Sequence, residues 1–306
     1  LIESSDITSV FINKDYEPYA RKRDQEIAAL LSENGIALHT FKDQVIFEEN
    51  EILKADGKPY TVFTPYKNKW LSYFSKEMLS SKASNFKALY KKTQALPTLS
   101  SMNFKVATIK VKPYDLSSLN EYIKSRDLPS TDNTSYLSPH LRFGSVSVRK
   151  IIGTLKETDA VFLSELIWRE FFMQIIYHFP RVVIENFKVK YNSIVWRNDE
   201  QEFEKWCAGK TGYPMVDAGM RQLNATGYMH NRARMVTASF LCKHLLIDWR
   251  WGEAYFAQKL LDYELSSNNG NWQWSAGTGC DATPYFRVFN PTSQQQKFDD
   301  KGIYVK

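Results

Sequence analysis

Asp262-Tyr-Glu-Leu-Ser-Ser-Asn-Asn-Gly-Asn-Trp-Gln-Trp274 is the stretch on which the reading of this chain turns. It gathers two carboxylates, two adjacent amides and two tryptophans within about one loop-and-turn length. Few of these residues serve packing alone. Amides and carboxylates can read hydrogen-bonding edges, while indole faces stack on flat rings or pass electrons. Trp249 and Trp251 stand just upstream. The combination points to a flat, redox-active ligand rather than to a metal or a nucleophile.

Working outward, 306 residues are enough for two domains and a large core. Hydrophobic residues make up 43% and charged residues 24%, the balance of an ordinary globular chain. Forty Lys+Arg against thirty-four Asp+Glu leave a formal charge of +6, a weak pull toward polyanions. Cys207, Cys242 and Cys280 are scattered and odd in number, which argues against a disulfide framework and a structural zinc and fits a reducing, cytoplasmic setting. No apolar run reaches membrane-spanning length, and no signal peptide is seen. The chain lacks an initiator Met, so a fragment is expected.

The N-terminal part alternates. Val10-Phe-Ile12 predicts a short buried strand, 21–32 a helix ended by Gly35, and 36–41 and 45–47 further strands. Strand, helix, strand is the order of a parallel α/β unit, here too short for a complete doubly wound domain. Thr64-Pro65 marks a helix start with a capping hydroxyl, running through Trp70 toward Phe74. Residues 75–115 are rich in Ser, Lys and Pro with poor periodicity and are expected to be a long connection. From 116 onward the pattern is helical: 161–179 apolar on most sides and stopped by Pro180, then 214–226, 232–247 and 252–265.

Thr134-Ser-Tyr-Leu-Ser138 before Pro139 offers hydroxyls and free N–H groups at a helix entrance, a seat for phosphate; plain N-capping by Ser138-Pro139 accounts for the same residues. Glu165, Trp168 and Arg169 share a helix face, which a buried aromatic beside a helix salt bridge would equally explain. Asn231-Arg-Ala-Arg234 opens a helix. Arginines there oppose the dipole, so an anionic partner is expected, with Asp262 a candidate. Asp217 and Arg221 are read as a helix pair, and His230 and His244 as core or surface residues. No dinucleotide fingerprint, Walker loop or nucleophile elbow is present.

Taken together the motifs are far more specific. Lys210-Thr-Gly-Tyr-Pro-Met-Val-Asp-Ala-Gly-Met-Arg-Gln-Leu223, Met229-His-Asn-Arg-Ala-Arg-Met-Val-Thr-Ala-Ser-Phe-Leu241, Asn268-Asn-Gly-Asn-Trp-Gln-Trp274 and Pro284-Tyr-Phe-Arg-Val-Phe-Asn-Pro291 closely resemble the photolyase/cryptochrome family. They look most like its class I members, which repair cyclobutane pyrimidine dimers. The resemblance implies an α/β, Rossmann-like N-terminal part (1–75), incomplete here. A linker (76–115) joins it to a mostly α-helical FAD- and DNA-binding domain (116–306). It implies non-covalent, reduced FAD held by Tyr122, by Thr134, Ser135, Tyr136, Leu137 and Ser138 at the diphosphate, and by Arg234, Asp262, Tyr263, Glu264 and Asn268, the last facing flavin N5.

On the DNA side it implies a dimer pocket lined by Glu165, Trp168, Asn231, Met235 and Trp274. Arg126 and Arg232 would contact the backbone, and Gln294 would add a further contact. It implies electron transfer through Trp272, Trp249 and Trp196, although core packing would also explain the last two. Two departures stand out. The family's opening strand and first charged motif are absent, and Gly57-Lys58-Pro59 replaces an acidic contact of folate-binding relatives, so a second antenna chromophore is left without an identity. The chain also stops before the family's final helices. The function implied is light-dependent repair of pyrimidine dimers in damaged DNA by a monomer, cytoplasmic and nucleoid-associated in a bacterium. The alternatives are a cryptochrome-like light receptor, a 6-4 photolyase, and a flavin-free nucleic-acid-binding module.

Overall fold

The computed structural model describes residues 7–80, 85–89 and 95–306. Strands β1 (Ser9–Asn13) and β2 (Ala37–Phe41) pair in parallel, Ser9 opposite Ala37 and Asn13 opposite Phe41, with helix α1 (Pro18–Glu33) as the crossover. Pro18 presets the helical φ at the first turn. Beyond the helix, Gly35 takes φ +69°, a left-handed turn that suits glycine. The expected strand–helix–strand unit is therefore present. Its burial is not as expected: Phe11 is 64% and Phe41 51% exposed, and Phe11 stacks on both His39 and Phe41. An apolar triplet in a strand sends its middle residue to the opposite face.

Residues 45–47 are buried but do not form the expected strand. The N–H groups of Ile46 and Phe47 donate instead to the carboxylate of Glu170, at 2.6 and 3.1 Å. The same carboxylate accepts from Trp70 Nε1 at 2.7 Å and from the Tyr66 hydroxyl at 3.4 Å. Trp70 and Tyr66 belong to α2 (Phe63–Tyr73), which begins at Phe63 without help from the Thr64 hydroxyl. The Phe63 N–H is met by Asp281 at 3.0 Å, so a distant carboxylate does the work assigned to the local cap.

The helical part comprises α3 (Tyr122–Ser125), α4 (Leu137–Arg142), α5 (Val148–Thr154), α6 (Ala160–His178), α7 (Glu200–Cys207), α8 (Pro214–Thr226), α9 (Asn231–Lys243), α10 (Trp249–Lys259), α11 (Leu265–Ala276) and α12 (Pro291–Phe298). Helix α6 is apolar nearly all round and accordingly central, with α2 against it on one side and α11 on another. One core surrounds α2, α5 and α6, and a second surrounds α8 to α11 with Trp206, Trp249 and Trp272 inside. Helix α9 stops before the expected 247, because Leu246 turns left-handed at φ +55°. Helix α10 starts earlier than expected, with the Asp248 carboxylate accepting from Arg250 N–H at 3.0 Å. Of the connection expected at 75–115, positions 81–84 and 90–94 lie outside the described residues; the others form short 3-10 turns and extended, largely exposed chain.

Within 262–274, residues 265–274 lie on helix α11 and 262–264 form the turn before it. Glu264 caps α11 by accepting from Ser266 and Ser267 N–H, both at 3.0 Å. Gly270 on α11 lies against α6 so closely that a Cβ would sit 2.1 Å from Phe172. A Cβ on Gly252 of α10 would sit 2.2 Å from the Trp272 ring. Two glycines thus let α11 settle between α6 and α10, with the Trp272 indole lying on the backbone of the helix that carries Trp249.

Glu17 joins the α/β unit to this arrangement. It accepts from Leu265 N–H at 3.3 Å and faces Arg142 at 3.7 Å. Burial first, then the nearby Glu264 carboxylate, push its pKa from 4.5 up to about 7. Folding therefore disfavours its ionised form. Its contribution to stability is complete below about pH 4.5 and is lost as pH rises through about 7. Glu17→Gln is expected to reduce the loss of thermal stability between pH 5 and pH 8. Parallel wild-type and variant melting curves across that range would contradict this assignment.

Candidate functional site

Helices α6, α9 and α11 and the turn before α11 enclose a cavity of about 340 Å³. From α6 come Glu165, Trp168 and Phe172; from α9, Asn231, Arg234 and Met235; from 262–274, Asp262, Tyr263, Glu264, Asn268, Trp272 and Trp274. The flavin- and dimer-facing residues expected from these three motifs therefore converge on one space. Trp168 is held flat against Phe63, ring centres 3.6 Å apart and 8° from parallel. Glu165 pairs with Arg126 at 2.8 Å. The expected Glu165–Arg169 helix pair does not form: Arg169 donates to the Gln44 carbonyl at 2.7 Å, because its side chain reaches toward the α/β unit.

A second, more polar cavity of about 290 Å³ adjoins the first, and the two share Arg234 and Asp262. Arg234 holds both Asp262 oxygens, at 3.0 and 3.2 Å, and donates through Nε to the Met229 carbonyl. The Ser138 hydroxyl donates to Asp262 at 2.6 Å. Thus Asp262 is the anionic partner of Arg234 only; Arg232 finds a different one. Lys112, Ser130, Thr131, Thr134, Tyr136 and Ser138 also line this cavity. Hydroxyls, an ammonium and a guanidinium suit a diphosphate. The larger cavity, with Phe172, Phe256, Leu260 and Ala238 among its walls, suits a flat ring system. A dinucleotide bent at Arg234–Asp262 fits this donor set.

Other expected residues lie elsewhere. Tyr122 lines neither cavity; it packs edge-on against Phe162 at 5.2 Å, and burial pushes its phenol up to about 12. Leu137 is in the core, and the Ser135 hydroxyl faces the Leu137 N–H at 3.4 Å, so the loop's alternate residues point inward to close its own turn. Arg232 pairs with Asp127 at 2.6 Å and lies 4.1 Å over the Phe298 ring. Gln294 sits on α12 with its side-chain carbonyl buried and without a hydrogen-bond partner among the described residues. Trp249 and Trp196 belong to the core around Trp272, with the Trp249 indole N–H donated to Asn186 at 2.9 Å.

Several functional neighbours were not apparent from sequence. His230 caps α9, its Nδ1 accepting from Arg232 N–H at 3.1 Å. Burial, aided by Arg232 and Arg234, pushes its pKa down to about 4, so it stays neutral and can accept. Its place before Asn231 at a helix start was the available signal. Asn268 donates to the Glu253 carboxylate at 3.0 Å, and burial raises the Glu253 pKa. Trp206 lies 6.1 Å from Trp272. Asp217 does not pair with Arg221; it accepts from Thr211 and Gly212 N–H and pins the turn before α8. Among the described residues no helix is long and apolar enough to cross a membrane.

Known proteins are similar to this chain along its whole length. The family model described as DNA photolyase matches residues 1–85, and that described as the FAD binding domain of DNA photolyase matches residues 162–306. The deoxyribodipyrimidine photo-lyase of Vibrio cholerae is 39% identical, over 100% of this chain and 71% of its own length. The crystal structure of a class III photolyase from Agrobacterium tumefaciens superposes with a TM-score of 0.84 at 34% identity, covering 99% of this chain and 68% of that one. An archaeal photolyase from Sulfolobus tokodaii, solved with two FAD molecules, gives 0.77 at 35% identity over 98% and 68%. Two cavities hinged on Arg234–Asp262, the matched FAD-binding region and this identity along the whole chain lead to one conclusion: the chain belongs to the DNA photolyase family.

Proposed function

We infer that this protein is a deoxyribodipyrimidine photolyase, an enzyme that uses blue light to split cyclobutane pyrimidine dimers in DNA. The observation that carries the reading is the continuity of the two cavities, with Trp168 and Trp274 on the larger one. Reduced FAD held there would supply the light-driven electron transfer that opening a cyclobutane ring needs. The residues supply position and dryness. Arg234, Ser138 and Lys112 hold the anionic half, Phe172, Phe256 and Leu260 exclude water, and Asn268 offers an amide to the flavin edge without the full proton of a carboxylic acid. Trp168, Trp274, Asn231 and Met235 receive the extruded dimer. Photolyases are among the enzymes known to act on flipped bases, and a damaged pair is the cheaper one to extrude.

In this reading 1–75 is the α/β part, 76–115 the linker and 116–306 the catalytic domain, a division supported by family matches at 1–85 and 162–306. Trp272, Trp249 and Trp196 relay electrons that restore reduced flavin. A neighbour with a second FAD supports a second chromophore site of still open identity. The protein acts as a monomer on damaged DNA in the cytoplasm.

The test is repair. Flavin-loaded protein should restore a thymine-dimer oligonucleotide under blue light and leave it untouched in the dark; photoreduction without repair would make the chain a receptor instead. Trp274→Ala should weaken binding of that oligonucleotide by ~1–3 kcal/mol, the scale of one base–aromatic stack. Unchanged affinity would remove Trp274 from the pocket. Trp272→Phe should slow photoreduction of oxidised flavin yet spare repair by protein reduced beforehand. Equal loss of both would rule out the relay role.

A further inference from the structure

Trp168 lines the larger cavity, but the ring pressed closest against it lies outside. Phe63 stacks flat on the indole, ring centres 3.6 Å apart and 8° from parallel, yet it lines neither cavity and is 5% exposed. No ligand ring can enter between planes that close, so one face of the Trp168 indole is shut. Phe171, fully buried, meets both rings edge-on, at 5.8 Å from Phe63 and 5.6 Å from Trp168, and braces the pair from the side.

Phe63 is itself anchored. It is the first residue of α2, where an N–H has no partner within the helix, and Val62 before it supplies no side-chain cap. Asp281 fills that role from across the fold, accepting the Phe63 N–H at 3.0 Å. Further along α2, Tyr66 and Trp70 donate to Glu170 on α6, the helix that carries Trp168. Helix α2 is therefore tied at its start to the segment after α11 and along its length to α6. A ring on a helix fixed in this way has little freedom to slide off the indole it covers.

We propose that Phe63 is a positioning residue for lesion recognition: it holds the Trp168 indole in the orientation that receives the extruded dimer, with Asp281 as its anchor. The proposal rests on the photolyase reading, in which Trp168 stacks on the dimer. A side chain ordered before binding spares the cost of ordering it on binding. Phe63 therefore acts on affinity for the lesion, and not on flavin retention or on affinity for undamaged DNA.

The experiment compares flavin-loaded wild-type protein, Phe63→Leu, Trp168→Ala and the double variant, each binding a thymine-dimer duplex and the undamaged duplex. Leucine keeps an apolar side chain at the site but removes the flat face. Phe63→Leu should bind the lesion duplex about three- to tenfold more weakly, the scale of ordering one side chain. Its bound FAD and its affinity for the undamaged duplex should match wild type. In the Trp168→Ala background the same change should have no further effect, since the ring it positions is gone. If Phe63→Leu fails to fold or loses its flavin, Asp281→Ala takes its place and should show the same selective loss. Asp281→Asn, which still offers an oxygen to the Phe63 N–H, should restore lesion affinity. Unchanged lesion affinity, equal weakening of both duplexes, or an equal effect of Phe63→Leu with and without Trp168 would overturn the positioning role while leaving the photolyase reading in place. Wild-type protein without lesion preference would overturn that reading, and the positioning role with it.

Discussion

Replacing Glu170 by alanine is expected to destabilise the protein by at least about 3 kcal/mol, because each buried donor left unmatched costs about 1–3 kcal/mol. Four donors converge on this carboxylate: the Ile46 and Phe47 N–H groups, the Trp70 indole and the Tyr66 hydroxyl. It is 4% exposed, so water cannot replace it without opening the core. Alanine would also leave a cavity between α6 and α2, which adds to the loss. Glutamine keeps the volume, yet it turns an –NH₂ group toward donors, so Glu170→Gln should recover only part of the stability. Urea unfolding of the three proteins measures this directly. A difference below 1 kcal/mol for the alanine variant would mean that the 45–47 segment and α2 are held to α6 by other contacts.

The second large effect belongs to Asp262. Its side chain is only 6% exposed, and it neutralises Arg234 while accepting from Ser138. Breaking a buried charge pair from one side costs about 3–5 kcal/mol, most of it from the stranded partner. Asp262→Ala should therefore lower stability and release the guanidinium from the junction of the two cavities, so FAD retention through gel filtration should be lost. Asp262→Asn keeps the Ser138 contact and one bond to Arg234, and should fall between the two. Full flavin retention in the alanine variant would show that this pair does not shape the site.

Much of the architecture was legible because its causes are local. Pro214 and Gly227 bracket α8 as read, since a proline at the first turn and a left-handed glycine after the last are set by backbone geometry alone. The parallel β1–α1–β2 unit and the apolar α6 followed from periodicity in the same way. The misreadings share a different cause. Residues 45–47 lack a strand because a carboxylate more than 120 positions away takes their N–H groups. Thr64 is not the cap of α2 because Asp281 reaches Phe63 from across the fold. Asp217 and Arg221 have helix-pair spacing, yet the Thr211–Gly212 turn offers Asp217 two N–H donors, a better match for a buried carboxylate. Within the site, the converging face of 262–274 was readable from its unusual mix of amides and indoles. The inward turn of Leu137 and the packing of Tyr122 on Phe162 were not, because both depend on which neighbour fills the adjoining core.

One bent flavin dinucleotide is expected to fill the paired cavities joined at Arg234–Asp262, beside the lesion pocket. The decisive measurement titrates the purified, flavin-free chain with FAD and records the visible absorption of the protein fraction after gel filtration, alone and with riboflavin as competitor. One FAD per chain, structured flavin bands and little displacement by riboflavin, which lacks the diphosphate that Arg234 and Lys112 would hold, are expected. Protein that emerges colourless, or that takes up riboflavin as readily as FAD, would contradict that expectation.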